Sequence, residues 1–291
     1  MMFKIGLIGT ENTHALAFAK YYNLPNEAGK YNEEDMRVTA IMGYDQEANA
    51  KIMAETGVDF VATSVEEMID KVDAVMITSR KGSEHMQYAL PFIERKMPVF
   101  IDKPFTSDPV EADALMAKIK EYNCPVQGGS SCKYLPEVKQ VKELVEKLRA
   151  EDNFMGASIG FRIVLDSEHD GIYFYAPHLV EMCLECFGTD IKKVQALRNQ
   201  DKLIVNVMYE KDLISLQYTT KGRPSCLVYG GKAGNFFIDM NTNGLYELEC
   251  KPFAELVRGE GESLPAQTLV QPIHMIDAIK RSMESGQIVE L

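Results

Sequence analysis

The chain predicts an α/β protein in two parts, a doubly wound parallel sheet followed by an α+β part with a large, mostly antiparallel sheet. Three observations carry that expectation. Across the first 125 residues, short continuous runs rich in Val, Ile and Leu alternate with amphipathic segments, the rhythm of strands covered by helices on both faces. From about residue 150 the apolar positions alternate with polar ones, and turns such as EKD separate the runs, as in strands with one face on a core and one toward water. Finally, 291 residues exceed what one hydrophobic core usually supports, so two domains of roughly 120 to 170 residues are expected. The division is placed between 1–125 and 126–291, with the chain end a candidate to pack back on the first domain.

In chain order, KIGLIG reads as a strand and ALAFAKYYN as the start of a helix. VTAIMGYD is a second strand, followed by a helix through EANAKIMAETG. VDFVAT and DAVMITS are strands around the helix EEMIDKV; HMQYALPFIERK is a helix and PVFIDKPF a strand. The helix EADALMAKIKEYN and the strand PVQGGS complete the first pattern. In the second part GASIGFRIV, KKVQALRN, LIVNVMYE, LISLQYTT and CLVYG are strand-like, and HLVEMCLECFG is the helix that packs on them. A helix at PIHMIDAIKRSMESG and a short strand, QIVEL, close the chain.

Forty-three acidic residues against 31 basic ones give a formal charge of −12, which excludes a large nucleic-acid footprint, since phosphate binding needs clustered Lys and Arg. Small partners are favoured. No run approaches the roughly 20 apolar residues of a membrane span, and Met1 to Lys4 lead directly into the first strand with no apolar signal region, so a cytoplasmic protein without a membrane partner is expected. Six unevenly spaced cysteines fit a reduced compartment. Cys183 and Cys186 form a CxxC inside an apolar-periodic helix, where they read as packing residues, and no second CxxC or HxxxH completes a metal site.

The stretch GTENTH follows the first strand, where a nucleotide-binding fold keeps its phosphate loop. The dinucleotide fingerprint GxGxxG falls on Gly9, Glu11 and His14, so only the first glycine is present. Gly9 supplies the tight turn, while Thr10, Asn12 and Thr13 offer side-chain oxygens and a helix cap. Helix N–H groups there still make an anion site. Glu11 brings negative charge close to a pyrophosphate. His14 either donates to a phosphate or substrate, or caps the turn. The acid that accepts ribose hydroxyls should end the second strand; Gly43 stands there, with Asp45 two residues on. Arg80 and Lys81 either hold an anionic group of cofactor or substrate, or form a solvated loop.

FIDKPF, holding Asp102, Lys103 and Pro104, with His85 seventeen positions earlier, resembles the E-K-P strand and TPNxxH segment of the glucose-fructose oxidoreductase and inositol dehydrogenase family (Gfo/Idh/MocA). GSSCKYLP, from Gly129 to Pro136, is similar to that family's GFNRRFxP, and His178 with Glu181 to its HxxD helix start. The resemblance spans essentially the whole chain. It implies an N-terminal Rossmann dinucleotide-binding domain and a C-terminal α+β substrate and oligomerisation domain. It also implies hydride transfer between nicotinamide and a hydroxyl-bearing carbon of a sugar, polyol or related small molecule. Lys103 and His178 would be the catalytic pair at the junction of nicotinamide and substrate. On the residues themselves, Glu181 either orients the imidazole or is an exposed helix carboxylate, and Tyr173 and Tyr175 either supply hydroxyls or pack between sheet and helix. Cofactor contacts would come from Gly9, Thr10, Glu11, Asn12, Thr13, His14, Asp45, Ser79, Arg80, His85, Asp102 and Lys103. The cofactor is NAD or NADP, with NAD preferred if Asp45 reaches the ribose, and the assembly a homodimer or homotetramer paired through the open face of the second sheet. The chain departs from the family at the two lost glycines, in the longer TSRKGSEH segment, and at Phe174, where the family often has an Asp four residues before its histidine. Glu11 and Phe174 favour the alternative, a non-catalytic ligand-binding or regulatory protein on the same fold.

Overall fold

A computed structural model of the protein describes residues 2–291. The first stretch runs β1 (Phe3–Ile8), α1 (Thr13–Asn23), β2 (Met36–Met42), α2 (Gln46–Thr56), β3 (Phe60–Val61), α3 (Val65–Ile69), β4 (Ala74–Ile77), α4 (His85–Glu94), β5 (Val99–Asp102), α5 (Pro109–Tyr122) and β6 (Val126–Gly129). It continues through α6 (Pro136–Ala150), β7 (Gly156–Arg162), α7 (Ala176–Phe187), β8 (Lys193–Asn199), β9 (Lys202–Met208), β10 (Leu213–Thr219), β11 (Ser225–Tyr229), β12 (Asn235–Asp239), α8 (Glu247–Arg258), α9 (Ala266–Ser285) and β13 (Val289–Glu290). Among the described residues no helix is long and apolar enough to cross a membrane.

Two compact units result, and neither is a simple half of the chain. The first runs to Gly129 and also takes Tyr246–Ala266; the second is Ser130–Leu245 with Gln267–Leu291. The boundary expected after residue 125 therefore moves to Gly129, because β6 completes the parallel sheet. The segment that returns to the first unit is α8 and its flanks, whereas the closing helix and strand stay with the second.

In the first unit six parallel strands lie in the order β3-β2-β1-β4-β5-β6. Sequence order reverses between β1 and β4, the switch point outside whose carboxyl ends open α/β sheets bind ligands. Every residue of β4 and β5 is buried, as both faces of a parallel sheet require. VDFVAT shrinks to a two-residue strand at the sheet edge. Helix α8 joins through an apolar face: Phe253 meets Phe100 edge-on at 5.7 Å, Phe100 meets Phe18 at 5.5 Å, and Cys250, Ala254 and Leu256 lie in the same core. Its polar ends are tied down too. Tyr22 Oη donates to the Cys250 carbonyl at 2.9 Å, and Arg258 bonds Asp35 at 2.7 and 3.0 Å and also Glu33. Residues 262–264 close the exposed edge of β6, where Leu264 N–H donates to Val126 at 2.9 Å and Gln127 Nε2 to Glu262 at 2.8 Å.

The second unit is a seven-stranded sheet, β12-β11-β7-β10-β9-β8-β13, antiparallel except where β7 and β10 run side by side. Alternate residues such as Ile159, Val205, Leu216 and Val228 are buried, while the opposite face shows Leu197, Leu213 and Phe237 to solvent. Strand β12 and helices α6 and α8 were not foreseen. NFFID is only five residues long and follows a glycine-rich turn, and in the two helices charged residues interrupt narrow apolar stripes.

Candidate active site

In the first unit the carboxyl end of β5 is organised by one carboxylate. Asp102 is fully buried; its Oδ1 accepts from the Lys103 N–H at 2.7 Å, and its Oδ2 lies 2.7 Å from His14 Nδ1 and 3.3 Å from Asn12 Nδ2. Burial opposes ionisation, but the His14 partner and adjacent Lys103 outweigh it and hold the carboxyl below the ordinary carboxylate range. Asn12 also caps α1, its Oδ1 accepting from His14 N–H at 3.2 Å, and its amide donates to the Thr78 carbonyl at 2.9 Å. Lys103 itself is buried.

Beside this cluster, at the carboxyl ends of β1, β2 and β4, lies a cleft of about 640 Å³. Its lining includes the apolar side chains of Ile8, Met42 and Val61, the rings of Tyr44 and Tyr88, and the acids Glu11 and Glu84. Burial, and then those two acids, push the phenols of Tyr44 and Tyr88 above their ordinary value. Gly9 has φ +98°, and a Cβ there would stand 2.1 Å from the Ser79 nitrogen, so only glycine lets the loops after β1 and β4 close up. Glu11 is turned toward the second loop: its Oε1 accepts from Arg80 N–H at 3.2 Å, while Oε2 is buried without a hydrogen-bond partner. A cleft of this size at the sheet's switch point, entered by the close turn at Gly9, fits a dinucleotide despite the lost glycines.

Of the twelve positions expected to contact cofactor, Gly9, Glu11 and Ser79 line this cleft. Several others face inward. Thr10 is buried and its hydroxyl donates to Asn49 Oδ1 at 2.5 Å. His85 is fully buried and its Nε2–H donates to the Ser79 carbonyl at 2.9 Å, so it shapes the loop rather than touching a ligand; burial pushes its imidazole below the ordinary histidine value. Asp102 is a buried anchor, not a surface contact. Asp45 caps α2, its Oδ1 accepting from the N–H groups of Glu47 and Ala48 at 3.0 and 3.1 Å, so the ribose role expected of it competes with the cap. Thr13 is exposed at the start of α1, and Arg80 contributes its backbone to Glu11. Tyr44, Tyr88 and Glu84 were missed; Tyr44, between Gly43 and Asp45 in the stretch where the fingerprint looks for its acid, was the one position that pattern could have flagged.

The second unit builds around another buried carboxylate. Glu181 Oε2 accepts from Ser130 N–H at 2.8 Å and from Lys133 Nζ at 2.9 Å. His178, at the first turn of α7, meets Ser130 Oγ through Nδ1 at 2.7 Å, and Cys132 Sγ lies 3.6 Å from the same nitrogen. The direct orientation of His178 by Glu181 is thus corrected: Glu181 holds the loop, and the loop serine holds the histidine. Tyr175 and Phe161 stand edge-on to the imidazole at 5.5 and 5.9 Å, and the Arg162 guanidinium lies over the Tyr175 ring at 5.2 Å. Phe174 packs on His169 at 5.0 Å, leaving no carboxylate at that place. Cys183 and Cys186 are buried free thiols inside α7, and burial pushes the Cys183 thiol up to about 12.

Comparison with known proteins adds the lineage. The model of an oxidoreductase family with an NAD-binding Rossmann fold, GFO_IDH_MocA, matches residues 3–130. Oxidoreductase P35 of Formosa agariphila is 26% identical over 191 residues, which is 58% of this chain and 59% of that protein, so the match spans about three fifths of the relative. Among solved structures, GenD2 from gentamicin A biosynthesis, in complex with NAD, aligns over 100% of this chain and 96% of its own at 15% identity with a TM-score of 0.84. The Lactobacillus casei scyllo-inositol dehydrogenase, with bound NAD(H) and scyllo-inositol, aligns over 100% and 99% at 16% identity with a TM-score of 0.83. At such identities these two likenesses are of fold. Residues 3–130, which hold the parallel sheet, its switch-point cleft and the D-K-P strand end, match the model of this family of NAD-binding oxidoreductases.

Proposed function

We propose that the protein is an NAD-dependent dehydrogenase that oxidises a hydroxyl-bearing carbon of a sugar, polyol or related small molecule, or reduces the matching carbonyl. The carrying observation is Lys103, a buried lysine anchored to an ionised carboxylate at the end of β5, in the unit that has the NAD-binding fold. Bound nicotinamide would accept the hydride; the chain's residues manage the proton and the charge. Ser130 Oγ already accepts from Cys132 N–H at 3.2 Å and can accept again from His178 Nδ1–H, the tautomer in which Nε2 is the basic nitrogen that would take the hydroxyl proton. Lys103 would stabilise the developing alkoxide. Solved neighbours described as inositol dehydrogenases support a polyol as substrate class.

NAD is the proposed cofactor. Glu11 and Glu84 line the cleft and no Lys or Arg does so among its described lining residues, an arrangement that repels the extra phosphate of NADP. The open face of the second sheet, with Leu197, Leu213 and Phe237 exposed, is the proposed contact of a homodimer or homotetramer. A non-catalytic ligand-binding role is the second reading, favoured by Glu11 in the phosphate loop and by Phe174.

Titration of cofactor-stripped protein with NAD+, NADH, NADP+ and NADPH tests both. Micromolar binding of the NAD pair, followed by polyol-dependent reduction of NAD+ that falls by about 10²-fold or more in folded Lys103→Ala and His178→Ala, is the expected result. Binding by none of the four would favour the second reading.

A further inference from the structure

Three groups from two separate loops converge on the carboxylate of Asp102. The imidazole of His14 and the amide of Asn12, from the turn into α1, share Oδ2, and the backbone N–H of Lys103 takes Oδ1. His14 stands where the fingerprint has its last glycine. Its ring is set against Tyr246 at 4.9 Å and Phe18 at 6.0 Å, so neither the ring nor the carboxylate has room to drift. The side chain is 11% exposed and that of Asp102 1%, which keeps the 2.7 Å contact away from competing water.

We infer that His14 is a positioning residue for Lys103: by donating through Nδ1 to Asp102 it fixes the carboxylate that holds the lysine's backbone, and so couples the phosphate loop to the reactive end of β5. The glycine fingerprint brings a loop close to a phosphate; this loop spends the same position on bracing the lysine. The inference rests on the proposed dehydrogenase reading for its kinetic consequence, but the placement of Lys103 can be measured without turnover.

The test compares His14→Asn, whose amide nitrogen falls near the place of Nδ1, with His14→Gln, whose amide nitrogen falls near Nε2, and with His14→Ala. Lysines are reductively methylated with ¹³C, and the Lys103 resonance is assigned by its loss in Lys103→Arg. In cofactor-free protein that resonance is expected to shift in the Ala and Gln variants and to return to the wild-type position in the Asn variant. In turnover, kcat is expected to fall tenfold or more in Ala and Gln with the KM for NAD+ within threefold, and to recover in Asn. An unmoved Lys103 resonance in folded Gln and Ala variants overturns the inference. So does a loss of rate that saturating NAD+ restores, since His14 would then be a cofactor contact. If the wild-type protein turns over no polyol, the functional reading fails while the resonance still decides the role of His14.

Discussion

Each unit sets the residue proposed to react beside a buried carboxylate, but the two carboxylates work differently. Asp102 sits next in sequence to Lys103 and is gripped by a histidine and an amide from another loop. Glu181 sits one helical turn from His178 yet bonds the N–H of Ser130 and the ammonium of Lys133 instead, leaving Ser130 to meet the histidine. In the first case the acid holds the backbone of Lys103 itself; in the second it holds the loop that holds His178. The contrast teaches that adjacency in sequence does not say which group fixes which.

The strongest way to break the comparison is to remove the second carboxylate. Glu181→Ala takes the carboxylate partner from a buried ammonium and the acceptor from the Ser130 N–H, so a loss of about 3–5 kcal/mol is expected in urea unfolding. A loss below about 1 kcal/mol would mean that Glu181 does not hold the loop. Ser130→Ala, which leaves that ion pair intact, should cost stability little and show itself in turnover.

A smaller effect separates cap from ligand. Asp45→Ala removes two N-cap hydrogen bonds from α2 and should lower stability by about 1 kcal/mol, with NAD+ affinity changed less than threefold. A tenfold loss of affinity with unchanged melting would restore Asp45 to the cofactor site.

The smallest effect is a slope. His85 is buried with its pKa depressed, so in the folded state it resists the proton that the unfolded chain accepts. Its contribution is fully present above the ordinary histidine value of about 6.5 and is lost as pH falls below it. Melting temperature should therefore decline between pH 7 and 5, and less steeply in His85→Gln. Equal slopes in both proteins would place the acid sensitivity elsewhere.

The parts readable from sequence were those with a short local pattern: strands buried on both faces, Lys103 after its acid, His178 at a helix start. Asp45 carried a readable signal as well, since an Asp just before a helical run is a cap. The partners of the two carboxylates carried none. His14 lies 88 residues from Asp102, and Ser130 lies 48 from His178, distances over which only the folded chain decides what meets what. Glu181 misled because helical spacing shows that two side chains can share a face, not that a third group will fail to intervene.

One consequence concerns how the protein is made. Phe100 finds Phe253 only after more than half the chain has intervened, and the β6 edge is closed by residues 262–264. On the ribosome, the nucleotide-binding unit must wait with part of its core bare until nearly the whole chain has emerged. A fragment ending at Gly129 would keep all six strands and still lack its last apolar cover, so it is a poor choice for expression, and a fusion of residues 246–266 to it by a flexible linker is the better one.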